Sequence, residues 1–173
     1  MPHKPPKSDT ATSSQRLSAL SLIRKQRTMI IATGAAGTPW ATPVYYVFNS
    51  PGFYFFSSPK ARHAQDAVQS KYAAATIFFD NGRWEQIQGV QMSGKIETIT
   101  KTIQQVKIGA LFILKFPFAE PFLQTNAQTD TDTNKDSEPP KLGDRVRLCG
   151  FFPEEIYYLN NKVGFGRRER IEL

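Results

Sequence analysis

The chain has 173 residues, thirteen of them Phe, a formal charge of +7 and one cysteine, Cys149, a length that suits one domain with its own core. The lone cysteine excludes an internal disulfide. The polar N-terminus lacks the apolar stretch of a signal peptide, and no apolar run is long enough to span a bilayer, so a cytoplasmic protein with no membrane partner is expected.

In chain order, residues 1–13 read as a disordered tail, and residues 14–173 as one domain. Ser14 can cap a short helix whose Leu17, Leu20 and Ile23 share a face. Residues 28–33 are rich in strand formers. Ala35, Ala36 and Gly37 make a turn, and residues 39–48 form a second strand. In that strand Trp40, Thr42, Val44 and Tyr46 alternate with Ala41, Pro43, Tyr45 and Val47. Both sets carry bulky groups, so the strand should have two covered faces, or one face on a partner. Pro43 donates nothing to a ladder, which puts it on an edge or a bulge. A turn at 49–52 makes strands one to three an antiparallel meander.

The third strand, rich in aromatic residues, ends in Ser57 and Ser58. Lys60, Arg62 and His63 then open a short helix over 60–70. Hydroxyls, cations and free helix-start amides together suit a phosphate. The same residues also fit a strand end with a capping serine and a solvated basic turn.

A fourth strand is expected at 72–79 and a long fifth at 86–98. In the fifth, Val90, Met92 and Ile96 share one side and Gln91, Ser93, Lys95 and Glu97 the other, with Gly89 and Gly94 permitting bends. Thr102 and Gln105 match a capping box for a helix to about Lys115. The stretch at about 124–141, rich in Thr, Asp, Asn and Pro, reads as a mobile loop. Further strands follow at 145–152, 156–159 and 163–173, with a break at Pro153-Glu-Glu155. Cys149 sits in an apolar run, where a thiol is commonly buried and inert. The whole reads as mainly antiparallel β with a few helices. Long glycine-bearing strands favour a compact, Greek-key-like barrel over a sandwich.

Four stretches carry a family likeness. They are Arg27-Thr-Met-Ile-Ile-Ala-Thr33, Pro39-Trp-Ala-Thr-Pro-Val-Tyr45, Tyr54-Phe-Phe-Ser-Ser-Pro-Lys-Ala-Arg-His63 and Ile87-Gln-Gly-Val-Gln-Met-Ser-Gly94. In this order they resemble the FMN-binding split barrels of the pyridoxamine 5'-phosphate oxidase-like superfamily. The ending Gly164-Phe-Gly-Arg-Arg-Glu169 is similar to that of a small, poorly characterised branch. The resemblance implies a homodimer with FMN at the subunit interface. It places the phosphate at Ser57, Ser58, Lys60, Arg62 and His63. It places the flavin ring along Trp40, Thr42, Pro43 and Gln91. Arg167, Arg168 and Arg170 fit a solvated face, or alternatively Arg167 reaches the cofactor or substrate mouth across the dimer. The second strand lacks the basic residues of the authentic oxidase, so oxidation of pyridoxamine phosphate is not implied.

No catalytic triad is visible, and a flavin enzyme needs none, because the cofactor carries the electron chemistry. Few histidines and one thiol leave no metal site. Two functions therefore stand side by side. One is an FMN-dependent oxidoreductase acting on a small organic substrate; the other is a non-catalytic flavin- or ligand-binding barrel. Basic residues such as Arg24, Lys25 and Arg27 permit nucleic-acid binding, but no recognised module supports it.

Overall fold

A computed structural model describes residues 13–35, 37–123 (except the Phe122 side chain) and 146–173. The expected tail, apart from Ser13, and the expected loop at 124–141 lie outside them. The described elements are α1 (Ser13–Lys25), β1 (Thr28–Ala35), β2 (Thr38–Tyr45), β3 (Val47–Asn49), β4 (Gly52–Ser57), α2 (Arg62–Ser70), β5 (Tyr72–Phe79) and β6 (Gln88–Thr98), followed by α3 (Thr102–Lys115), α4 (Glu120–Leu123), β7 (Arg147–Asn160) and β8 (Arg168–Arg170). Short 3-10 turns occupy Trp84–Gln86 and Pro117–Ala119.

All strand pairs are antiparallel, in the order β2-β1-β5-β6-β7-β4-β3, with β8 on β7. The two ends of this path, β2 and β3, are separated in the chain by Tyr46 alone. A sheet whose opposite edges are one residue apart has to curl until they meet, and the result is a split barrel. Residues 39–48 are therefore not one strand, and strands one to three are not a meander. They form two hairpins, β1–β2 and β3–β4, joined across the seam. Pro43 does lie on an edge strand, as expected.

The main core lies inside the curl. Met29, Ile31, Ile77, Val90, Met92 and Phe151 meet Ala19, Leu22 and Ile23 of α1 there. α1 begins at Ser13, one residue before the expected cap; of its expected face Ile23 is buried and Leu20 half-buried, but Leu17 is 66% exposed, and Ala19 and Leu22 complete the inward side. A second cluster sits behind β4, where Ile108, Phe112 and Phe116 pack on Tyr54 and Leu148. β4 is thus covered on both faces, which explains its unbroken aromatic run. β6 alternates as expected, with Val90, Met92 and Ile96 buried and Gln91, Ser93, Lys95 and Glu97 exposed.

Three other expectations are corrected. The capping box does not form: Lys101 is the N-cap of α3, and the Gln105 side chain donates to the Ile99 carbonyl at 2.8 Å. The break at 153–155 is absorbed in one continuous strand, β7, by a register shift opposite Ser93 and Gly94. Of residues 163–173 only Arg168–Arg170 pairs as a strand.

Gly94 makes the shift possible. A Cβ there would lie 2.2 Å from the Phe152 carbonyl oxygen. Gly94→Ala should therefore destabilise the fold by about 2 kcal/mol or more. Gly109→Ala, within α3 and with nothing near its would-be Cβ, should instead stabilise by about 0.5–1 kcal/mol. Urea midpoints of the two variants check both signs.

Candidate functional site

β4 ends at Ser57, and the chain needs only four residues to enter α2. The turn is local: Ala61 N–H donates to the Ser58 carbonyl at 3.0 Å, and Lys60 N–H donates to Ser58 Oγ at 3.2 Å. α2 starts at Arg62 rather than Lys60, and its N-cap, Ala61, offers no side-chain cap. The capping-serine reading is therefore corrected: neither serine caps α2, and Ser58 Oγ accepts from Lys60 N–H in the turn before it. Ser57 Oγ lies 2.7 Å from Nε2 of His63, and both residues are buried. This bond pins the start of α2 to the end of β4. Burial pushes the His63 imidazole below its ordinary 6.5, against the opposing pull of the Asp66 carboxylate, so the ring sits neutral between its neighbours.

One turn along α2, Asp66 is buried and accepts a hydrogen bond from Thr33 Oγ1 at 3.2 Å. Arg62 Nε lies 3.8 Å from the same carboxylate. The Arg62 guanidinium stands 4.7 Å over the Trp40 ring. Thr33 and Trp40 are register partners on β1 and β2, so one face of the sheet presents both to α2. Asp66 thus orients an arginine that stays 44% exposed on an aromatic plate that is also 44% exposed. Exposed Lys60 stands at the same junction. A planar guanidinium with five donors, stacked on an indole, is suited to gripping an anion.

The other expected site residues divide by face. Thr42 shares the face of Trp40, because strand side chains alternate. Pro43 points the other way. It heads a row across the outer face, Pro43–Ile30–Thr76–Gln91–Tyr157–Arg170, each residue paired with the next. Gln91 Oε1 accepts from Arg168 Nε at 2.9 Å. Arg167 is directed elsewhere, to Glu169 at 3.0 Å. Within one chain the structure therefore joins Trp40 with Arg62 and Ser57 with His63, and it sets Pro43 and Gln91 on the opposite surface.

Thr33, Asp66 and Arg168 were not expected at the site. The Arg62-x-x-x-Asp66 spacing, one helical turn, was the available signal for Asp66. Nothing local marked the other two. Trp84 packs edge-on against Phe165, and Tyr45 against Phe116 and Phe118. The Cys149 thiol is buried and pushed up to about 11, as an inert cysteine would be. Among the described residues no three His, Cys, Asp or Glu side chains cluster as metal ligands, and no helix is long and apolar enough to cross a membrane.

The profile of the pyridoxamine 5'-phosphate oxidase family matches residues 18–111, more than half of the chain, and the chain belongs to that family. No curated protein matches the sequence. The fold recurs in a conserved hypothetical protein of Mycobacterium tuberculosis, at 13% identity and a TM-score of 0.69, covering 95% of each chain. HutZ, the heme storage protein of Vibrio cholerae, aligns at 13% identity and a TM-score of 0.65 over 86% of this chain and 98% of its own. A FAD-binding protein of Mesorhizobium loti aligns at 15% identity and a TM-score of 0.57, over 81% and 88%. At such identities these neighbours establish the split barrel alone.

The buried imidazole predicts an acid-side signature. An unfolded chain takes up a proton at the ordinary histidine value that the folded chain resists, so this contribution to stability is present above 6.5 and is lost as pH falls. Melting temperatures of wild type and His63→Gln, measured from about pH 7.5 down to about 5.5, should converge as the pH drops. Ser57→Ala should cost about 1–3 kcal/mol at neutral pH by leaving the ring without its partner.

Proposed function

We propose that the protein binds FMN as a homodimer and works as a cytoplasmic oxidoreductase on a small organic molecule. The observation that carries this reading is Arg62, held over Trp40 by Asp66 and flanked by Lys60 at the strand-to-helix junction. The donor set fits a phosphomonoester. Arg62 and Lys60 supply charge, and the Ser58 hydroxyl can still donate while accepting from Lys60 N–H. Ser57 and His63 serve by positioning, because each is already spent on the other. Bound flavin would supply the redox chemistry; the chain would supply binding, orientation and exclusion of water.

Haem is the alternative raised by the neighbours. His63 is the one histidine among the described residues, and it is buried with Nε2 committed to Ser57, a poor axial ligand. That favours flavin. A flavin binder without catalysis would show the same site, and NADH or NADPH oxidation with an electron acceptor separates the two.

The dimer reading rests on the outer face. Ala41, Ala32, Ala74 and Ser93 form a flat row of small side chains beside the Pro43–Gln91 row. Phe78, on the same side of β5 as Ala74, is 52% exposed. A second copy seated there would cover it. It would also let one ring meet the Trp40 side of one copy and the Gln91 row of the other, which a single chain cannot arrange.

Losing the Arg62 contact should weaken FMN about tenfold to a hundredfold and leave riboflavin nearly unaffected. Equal losses for both ligands would remove Arg62 from the phosphate. Separately, Ala74→Arg should convert a dimer to a monomer in analytical ultracentrifugation, and FMN binding should fall with it.

A further inference from the structure

α2 has a second working flank. His63, Ala64, Ala67, Val68 and Lys71 recur at helical spacing along it, turned away from the Arg62–Asp66 stripe. Together with β6 and β7 they enclose a cleft of about 420 Å³, within the range of small-molecule sites. Its deep surface is apolar: Phe55, Ala67, Ile96 and Cys149 are all buried. Its mouth carries Val68 and Tyr72, 72% and 54% exposed, and the cationic residues Lys71 and Lys95. Only His63 is common to this cleft and the junction described above.

Lys71 is the informative residue. It is the one non-glycine residue with positive φ, +58°, among the described residues. The position is the C-cap of α2, where glycine is the usual occupant because it enters this conformation without strain. The backbone is held there from both sides. Its N–H donates to the Ala67 carbonyl at 2.9 Å, and its carbonyl accepts from Ile96 N–H at 3.1 Å. These two hydrogen bonds hold the strained backbone, and the residue kept there is a lysine rather than the usual glycine, one that lines the cleft. Among the described residues no carboxylate pairs with it. Lys95 is paired with Glu154 at 3.0 Å, but both side chains are more than half exposed, so the pair contributes little and is readily exchanged. Glu97 on the same wall disfavours a second negative charge.

We propose that this cleft binds a small monocarboxylate with an apolar body, its carboxylate on Lys71 and Lys95 and its body over Phe55, Ile96 and Cys149. The cleft shares only His63 with the strand-to-helix junction, and the proposal does not rest on flavin binding.

Octanoate, octanamide and octylammonium, titrated calorimetrically against the full chain, test it. Octanoate should bind, octanamide about tenfold more weakly, and octylammonium not measurably. Lys71→Gly should raise the melting temperature by relieving the backbone while cutting octanoate affinity about tenfold or more. Lys95→Gln should give a smaller loss. Octanoate affinity unchanged in Lys71→Gly, equal binding of all three probes, or no octanoate binding at millimolar concentration would each overturn the proposal. A melting temperature lowered by Lys71→Gly would overturn the strain argument on which it stands.

Discussion

The step through Tyr46 is the constraint on which the rest of the molecule depends. It is fully buried where the chain crosses from one edge of the sheet to the other. Its N–H donates to the Arg27 carbonyl at 3.3 Å and its hydroxyl to the Ile23 carbonyl at 2.5 Å, which binds the seam to α1 and to the approach of β1. Lys115 of α3 lies 4.3 Å above the ring and donates to the Gln26 carbonyl at 2.7 Å. Burial and the neighbouring Arg27 bring that lysine down to about 8. One aromatic ring therefore gathers both hairpins and two helices.

Closure at this point makes the site possible. Trp40 lies on β2, at one end of the sheet path, and Ser57 on β4, next to the other end. Only when the sheet curls can α2 touch both, with His63 fastened to β4 and Asp66 to β1. The two attachments do different work. The neutral Ser57–His63 bond sets where the helix begins. The charged Thr33–Asp66–Arg62 chain sets where its guanidinium points. Because α2 is amphipathic on two sides, the arginine stripe faces β2 while the Ala67–Lys71 stripe closes a separate apolar cleft against β6.

Opposite side-chain parity along β2 has a further consequence. Trp40 and Pro43 sit on opposite faces of the sheet whatever the register. The register across β1 and β5 then aligns Pro43 with Gln91, three strands away, and brings Arg168 rather than Arg167 to that glutamine. A ligand touching all of them has to span two surfaces, and this geometry links the proposed cofactor site to the proposed dimer.

Much of this was written locally. Alternation alone told which side chains of β6 face inward, because a half-buried strand has to segregate apolar from polar groups. β5 was bounded correctly by the helix end before it and the Asp80-Asn81-Gly82 turn after it, and the basic cluster at 60–63 was visible as composition. The split at Tyr46 was hidden because residues 39–48 carry bulky groups in both parities. Pro153 looked like a break because only the partner strand shows that Gly94 can absorb the extra residue. The capping box at Thr102 and the serine cap of α2 failed because the helices start from Lys101 and Ala61, and Gln105, Ser57 and Ser58 take other partners within six residues. Sequence by itself determined the strand content, the inward faces and the presence of an anion-suited cluster, all properties of neighbours along the chain. The closure of the barrel, the pairing of His63 with Ser57 and of Arg62 with Trp40, and the second flank of α2 were decided only in three dimensions. The Arg62–Trp40 pair in particular joins residues brought together only once the two edges of the sheet have met, whereas the Ser57–His63 bond needed the exact course of the turn between β4 and α2.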